Sequence, residues 1–173
     1  FNFFRKQLAT VIQWEPQPTD LLFWKYPAAT DEIKNASKLI VGPGQGCVLV
    51  YEGKITDVLN EPGTYHIRTD NHPFITSLLK VMQLFESEHK MGLYFYRTAS
   101  VVNQGWGTSS AIKYVDEQYN IPVNLSAYGN FSYHITDAGL FFRQYVGQQD
   151  RYSTAAFREL MQARIPQILT SYL

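Results

Sequence analysis

Glycine-containing turns recur so closely between Leu39 and Thr69 that the runs between them are too short to be helices. Gly42-Pro43-Gly44-Gln45-Gly46, Glu52-Gly53 and Glu61-Pro62-Gly63 separate Lys38–Val41, Cys47–Tyr51, Lys54–Leu59 and Thr64–Thr69. Short runs rich in β-branched and aromatic residues, bounded by turn residues, read as strands. Pro62 and Gly63 fill the two central positions of a type II turn, and Glu52-Gly53 turns one strand directly back into the next. The segment therefore reads as a compact run of antiparallel strands.

The rest of the chain extends this pattern and then changes period. Leu21–Tyr26, Leu93–Arg97, Val101–Thr108, Ala111–Val115 and Ile121–Ile135 are strand-like, with Gly129 marking a bulge or a close backbone approach. Pro73–Phe85 favours a short helix through Ile75, Leu78, Leu79 and Met82. Asp137 is placed to cap a helix over Ala138–Val146 that Gly147 ends, and Ser153 or Thr154 to cap a second helix running to Leu173. Pro166 is expected to kink or interrupt that last helix. At the other end, Phe1–Gln13 reads as a short amphipathic helix, terminated by Pro16 and Pro18. The expected fold class is α+β, with antiparallel sheet first, then a short helix and a C-terminal helix. A single domain over residues 1–173 is expected, with 1–20 as an N-terminal amphipathic segment and 154–173 as the start of a longer helix.

Composition narrows the function. Fifteen basic residues balance fifteen acidic ones, so no net positive field exists to hold a nucleic-acid backbone, and nucleic acid is not an expected partner. Twelve Tyr and eleven Phe suit sheet packing and protein contacts, and make base-stacking the weaker reading of strands such as Leu93-Tyr94-Phe95-Tyr96. A chain of this length needs neither disulfide nor metal to stabilise its core. The single cysteine, Cys47, fits a reducing compartment, and the Asn-x-Ser tripeptides at Asn35, Asn124 and Asn130 then read as accidental. There is no apolar run long enough to span a membrane.

Motifs for chemistry are missing where they would be needed. The 42–46 loop has Cys47 where a dinucleotide fingerprint requires its third glycine, and lacks the Gly-Lys-Ser/Thr of a phosphate loop. His66, His72, His89 and His134 lack metal-site spacing, so no metal or cofactor is expected. Cys47 lies among Val48, Leu49 and Val50, a setting that buries a thiol and raises its pKa. Carboxylate pairs occur at Asp31-Glu32, Glu86/Glu88 and Asp116-Glu117, and neighbouring acids in loops are ordinarily solvated. No catalytic residue is assigned. The alternative, a hydrolytic or carbohydrate-active enzyme, requires acids brought together from distant positions.

The order of the elements carries a resemblance. Leu39-Ile40-Val41, then Gln45 through Ile55, then Glu61-Pro62-Gly63-Thr64-Tyr65-His66-Ile67 resembles the opening of the SPFH or band 7 domain of stomatins, prohibitins and flotillins. Gly129 through Asp137, followed by Leu140-Phe141-Phe142, is similar to that family's strand, Thr-Asp-Pro and Phe-bearing helix, with Ala138 in place of the usual proline. Phe157-Arg158-Glu159-Leu160 matches the start of its closing helix. Gln104-Gly105-Trp106-Gly107-Thr108 is similar to a Trp-Gly-Thr element of a soluble bacterial branch labelled virion-core-protein-like. The likeness runs roughly from Leu39 to Leu173 and departs from the family in having no membrane anchor ahead of the domain and in stopping where a long coiled coil would begin.

The resemblance implies a non-enzymatic scaffold that forms homo-oligomers in its full-length form and gathers membrane proteins, at the membrane surface or through a partner. It also implies a cytoplasmic protein, peripheral at the inner face of the membrane. Two contact regions follow as expectations. Phe1, Phe3, Phe4, Arg5, Lys6 and Trp14 combine aromatic anchors with basic residues, as a membrane-docking or partner-docking segment does, though the same stripe could pack on its own domain. Phe157, Leu160, Met161, Ile165, Ile168, Leu169 and Tyr172 form an apolar stripe for assembly, part of which is expected to pack on the sheet.

Overall fold

The computed structural model describes residues 10–15, 20–27, 33–84 and 91–173. The elements, in chain order, are β1 (Thr10–Gln13), β2 (Leu21–Lys25), β3 (Ala36–Val41), β4 (Gln45–Tyr51), β5 (Lys54–Leu59), β6 (Gly63–His66), α1 (Pro73–Gln83), β7 (Met91–Arg97), β8 (Val101–Gly107), β9 (Ile112–Asp116), β10 (Ile121–Leu125), β11 (Tyr128–Tyr133), α2 (Ala138–Phe141), a π-helical turn (Phe142–Val146), β12 (Arg151–Ser153) and α3 (Thr154–Ser171). The architecture is α+β, strands first. The chain divides into two compact units, Phe1–Ala99 with Ile135–Tyr152, and Ser100–His134 with Ser153–Leu173.

The first unit is built around a five-stranded sheet in the order β12-β2-β7-β4-β5. Strands β4 and β7 pair antiparallel from Gln45↔Arg97 to Tyr51↔Met91, and nearly every residue in both is buried. Burial on both faces explains why Cys47-Val48-Leu49-Val50 is a continuous apolar run rather than an alternating one. Against one face packs a cluster from the β1-β3-β6 sheet and α1, including Ile12, Leu39, Phe74, Ile75 and Leu78. Against the other face lie Phe141 and Phe142. Phe23 stacks on Phe141 with ring centroids 5.6 Å apart, and Tyr94 meets Phe142 edge-on at 4.8 Å. Gly46 is required here, because a Cβ at that position would come within 2.4 Å of the Tyr96 ring and 2.8 Å of the Leu59 carbonyl.

Turn chemistry fixes the registers. Glu52 (φ 50°) and Gly53 (φ 76°) form a two-residue β4–β5 loop with both residues left-handed, the pattern of a type I′ hairpin whose twist matches its strands. The Pro-Gly turn of type II character lies at Pro43-Gly44, where Gly44 has φ 75° and the Gln45 N–H donates to the Gly42 carbonyl at 3.1 Å. It does not lie at Pro62-Gly63. Gly63 has φ 159°, near the extended region, and opens β6 instead. The Thr64–Thr69 strand is shorter than expected, because the Asp70 N–H turns back to the His66 carbonyl at 2.8 Å. Gln45 joins two elements through one amide. It accepts from the Gly42 N–H at 3.2 Å and donates to the Trp14 carbonyl at 3.1 Å.

The helix caps fall where the sequence places them. Asp137 accepts from the Leu140 N–H at 2.9 Å, Ser153 accepts from the Ala156 N–H at 3.0 Å, and Gly147 ends the π-helical turn at φ 57°. The expected Ala138–Val146 helix widens to π geometry after Phe141. Pro166 does not interrupt α3, which is continuous from Thr154 to Ser171. The helix expected through Gln13 is corrected at its end: Thr10–Gln13 is β1, parallel to β3 with Val11 opposite Lys38. Thr10, Val11 and Ile12 are β-branched, and Ile12 gains full burial in the strand. Phe1 to Ala9 lie outside the described residues, as does the end of the expected Pro73–Phe85 helix.

Cys47 is fully buried, and burial pushes its thiol well above the usual range. The native protein should therefore react with a bulky disulfide reagent far more slowly than the urea-unfolded chain, at a rate that follows opening of the sheet. Fast native labelling at one thiol per chain would contradict the packing of β4.

Candidate assembly surface

The second unit is a β-ribbon carrying a helix. β8 pairs with β11, and β9 pairs with β10, both antiparallel, so residues 101–133 run out along one arm and back along the other. The arms are tied at mid-length, where the Thr108 N–H donates to the Ala127 carbonyl at 2.9 Å and the Ala127 N–H donates to the Thr108 hydroxyl at 3.2 Å. That tie splits the expected Ile121–Ile135 strand into β10 and β11. Gly129 is the close approach its position suggested: a Cβ there would lie 3.0 Å from Trp106 Nε1. At the tip, Asp116 Oδ1 accepts from the N–H groups of Gln118 and Tyr119, both at 2.9 Å, and Asn120 takes φ 50°.

The helix α3 lies along β8. Phe157 packs on Tyr133 with ring centroids 4.5 Å apart, and the Gln162 side-chain amide donates to the Gly105 carbonyl at 3.1 Å. The residues of the apolar stripe are not buried alike. Phe157, Leu160, Met161, Ile165 and Leu169 are half-buried, while Ile168 and Tyr172 are exposed, and no residue of α3 is fully buried. An 18-residue helix with no buried residue presents much of its surface to solvent.

Exposed apolar surface is concentrated in this unit. Apart from Val58, Leu84 and Leu140, every exposed large hydrophobic side chain among the described residues belongs to it. All five residues of β10 are exposed, including Ile121, Val123 and Leu125 on one face, and Tyr128 is 91% exposed. The register puts Ile112 and Tyr114 of β9 on that same face. The ribbon was not singled out in the sequence, although Ile121-Pro122-Val123-Asn124-Leu125 carries a signal: alternation with a proline marks an edge strand.

The N-terminal residues fare differently. Trp14 is a core residue, 7% exposed, stacked on Trp24 at 6.1 Å and tilted against Phe95 at 6.3 Å. For this indole the packing alternative holds, and it is not offered to a surface. Phe1, Phe3, Phe4, Arg5 and Lys6 lie outside the described residues.

In the first unit an open groove of about 880 Å³ is lined by Lys25, Lys54 and Arg143 together with Val50, Met91 and Phe142. Among the described residues, no carboxylate or histidine lines it, and Lys25 faces Asp150 at 4.0 Å. Among the described residues, no three His, Cys, Asp or Glu side chains converge as metal ligands. Nor is any helix among them long and apolar enough to cross a membrane.

The family model described as SPFH domain-Band 7 family matches residues 23–173. The chain belongs to this family. It is also 31% identical over 172 residues to the Bacillus subtilis (strain 168) protein described as "Uncharacterized protein YdjI", covering 99% of this chain and 51% of that protein. The chain thus spans about half the length of this relative. No solved structure matches it. As a band 7 domain, the chain carries the Gln45–Tyr51 strand, the Glu52-Gly53 hairpin and the Thr136-Asp137 cap at the positions its resemblance was built on.

The division of the α3 stripe has a measurable consequence. Phe157→Ala removes a ring contact and half-buried area, and is expected to lower stability by about 2 kcal/mol, below a full core deletion. Tyr172→Ala should change it by less than about 0.5 kcal/mol. Urea midpoints of the two variants check this, and equal losses would mean that the whole stripe is docked.

Proposed function

We propose that this band 7 domain is a non-enzymatic scaffold unit that assembles with further copies of itself and gathers membrane proteins at a membrane face. The supporting observation is the apolar surface of the second unit. An unpartnered β-ribbon face and a helix without a buried residue are costly to leave in water, and they suit contacts completed by another chain. Family membership supports the membrane setting. The lining of the first unit's groove among the described residues, cationic and apolar, favours binding over acid–base chemistry.

In this reading the protein is peripheral at the cytoplasmic face, and Phe1, Phe3, Phe4, Arg5 and Lys6 contribute the surface contact. Two basic residues add only about 1 kcal/mol each near an anionic surface, so the phenylalanines must carry the rest. The test uses the 173-residue chain and the full-length protein. Light scattering should give a monomer or weak oligomer for the former and a large assembly for the latter. Flotation with anionic vesicles should weaken in Arg5→Gln/Lys6→Gln without a change in melting temperature. A full-length protein that stays monomeric and out of the membrane fraction would overturn the reading.

A further inference from the structure

The groove of the first unit lies on one face of the five-stranded sheet. Lys25 stands opposite Tyr94, and Val50 stands between Gly92 on one side and Ile55 on the other. Residues opposite one another across strands, or two apart along one strand, share a face, so these five form one surface. Phe142 packs edge-on against Tyr94 at 4.8 Å and covers part of it. The missing side chain of Gly92 makes room for the Tyr94 ring, since a Cβ there would lie 2.9 Å from Tyr94 Cε2 and 3.6 Å from Lys25 Cε. Gly53 and Gly147 also line the groove, and among the described residues nothing lies within 4 Å of where their Cβ atoms would stand.

Parts of this surface have no use within the fold. Tyr94 is only 5% exposed and lines the groove, yet its hydroxyl has no hydrogen-bond partner among the described residues. A buried phenol ordinarily finds one. Burial, reinforced by Asp150, raises the Tyr94 pKa, so the hydroxyl keeps its proton and remains a donor. Lys25 has Asp150 for a partner at 4.0 Å. Lys54 and Arg143 are exposed and form no ion pair among the described residues. In a chain of zero net charge they make a local positive excess beside the apolar Val50, Met91 and Phe142.

We propose that the groove binds one anionic amphiphile, a single-chain lipid-like molecule with an acidic head. Its head meets Lys54 and Arg143, its chain lies along Val50, Met91 and Phe142, and one of its oxygens accepts from the Tyr94 hydroxyl. Charge selects an anion, and the apolar lining selects one that carries a chain. A concave site of about 880 Å³ has the size that takes one small molecule, whereas a bilayer surface asks for a flat or convex face. The inference stands apart from self-assembly and rests only on the reading of this groove as a binding surface.

Isothermal titration calorimetry of the 173-residue chain with octyl phosphate, kept below its micelle concentration, tests the proposal. One molecule should bind per chain, and inorganic phosphate, octyl glucoside and octyltrimethylammonium should each bind at least about tenfold more weakly. Lys54→Gln and Arg143→Gln should each weaken binding by about fivefold at low salt, and by less at high salt. Tyr94→Phe keeps the ring on Phe142 and removes only a hydroxyl without a partner, so its urea midpoint should stay in place while binding falls by about tenfold. Octyl glucoside binding as well as octyl phosphate, or affinity indifferent to all three substitutions, would overturn the site. Flotation with anionic vesicles without any binding of octyl phosphate would assign the charge to a membrane plane and overturn it too. Failure in this titration leaves the assembly reading standing, because light scattering of the full-length protein decides that separately.

Discussion

The pairing of β4 with β7 is the contact on which the first unit depends. Seven consecutive residue pairs, Gln45↔Arg97 to Tyr51↔Met91, lie at the middle of a sheet covered on both sides. A strand buried on both faces cannot alternate apolar and polar residues, and its backbone groups must all be satisfied within the sheet. Everything adjacent follows from that demand. Gly46 makes room for Tyr96, Phe23 and Tyr94 turn toward Phe141 and Phe142, and Leu49, Leu93 and Phe95 turn toward α1 and the β1-β3-β6 sheet. Ionising Tyr96 inside this layer is correspondingly hard, and burial, reinforced by Cys47, pushes its phenol to about 12. Because the raised pKa belongs to the folded state, the stability this group contributes is complete below pH ~10 and is lost as pH rises toward 12.

The second unit obeys the opposite rule. Its strands come in pairs, its helix buries no residue completely, and it holds most of the exposed large apolar side chains among the described residues. One chain thus combines a self-sufficient packed body with a ribbon whose apolar face lacks a cover among the described residues. Such a division suits a scaffold, in which one part must hold its shape while another is completed by neighbours. The band 7 family is the setting in which that division is read here, and the groove lined by Lys25, Lys54 and Arg143 adds a cationic surface to the rigid part.

How much of this was legible in the residues depended on whether the signal was local. Turns and caps are local: Glu52-Gly53, Asp137 and Ser153 act within a few residues of themselves, and each was found in place. Cys47–Tyr51 was legible because double burial leaves an uninterrupted apolar run. Thr10–Gln13 was not, since four residues are too few to tell a period of two from one of 3.6, and its stability comes from β3, about 26 residues away. Pro-Gly pairs occur at both 43–44 and 62–63, and only the surrounding sheet decides which becomes the tight turn. The assembly helix was visible as a stripe, but which of its residues are half-buried and which, like Ile168 and Tyr172, are exposed depends on the strands the helix packs on. The β9–β10 face was overlooked, because exposed apolar residues in a strand look the same in sequence as residues that a neighbouring layer covers.

The contrast between a closed unit and an open ribbon is most directly tested by residue-resolved hydrogen exchange at two protein concentrations, one well below and one well above the self-association midpoint. The account requires the β4 and β7 amides to exchange only at the global unfolding limit at both concentrations. It requires the amides of the β9–β10 hairpin to exchange rapidly in the dilute sample and to slow as copies associate. Slow exchange throughout the β9–β10 hairpin in the dilute sample, or no change between the two samples while association proceeds, would contradict it.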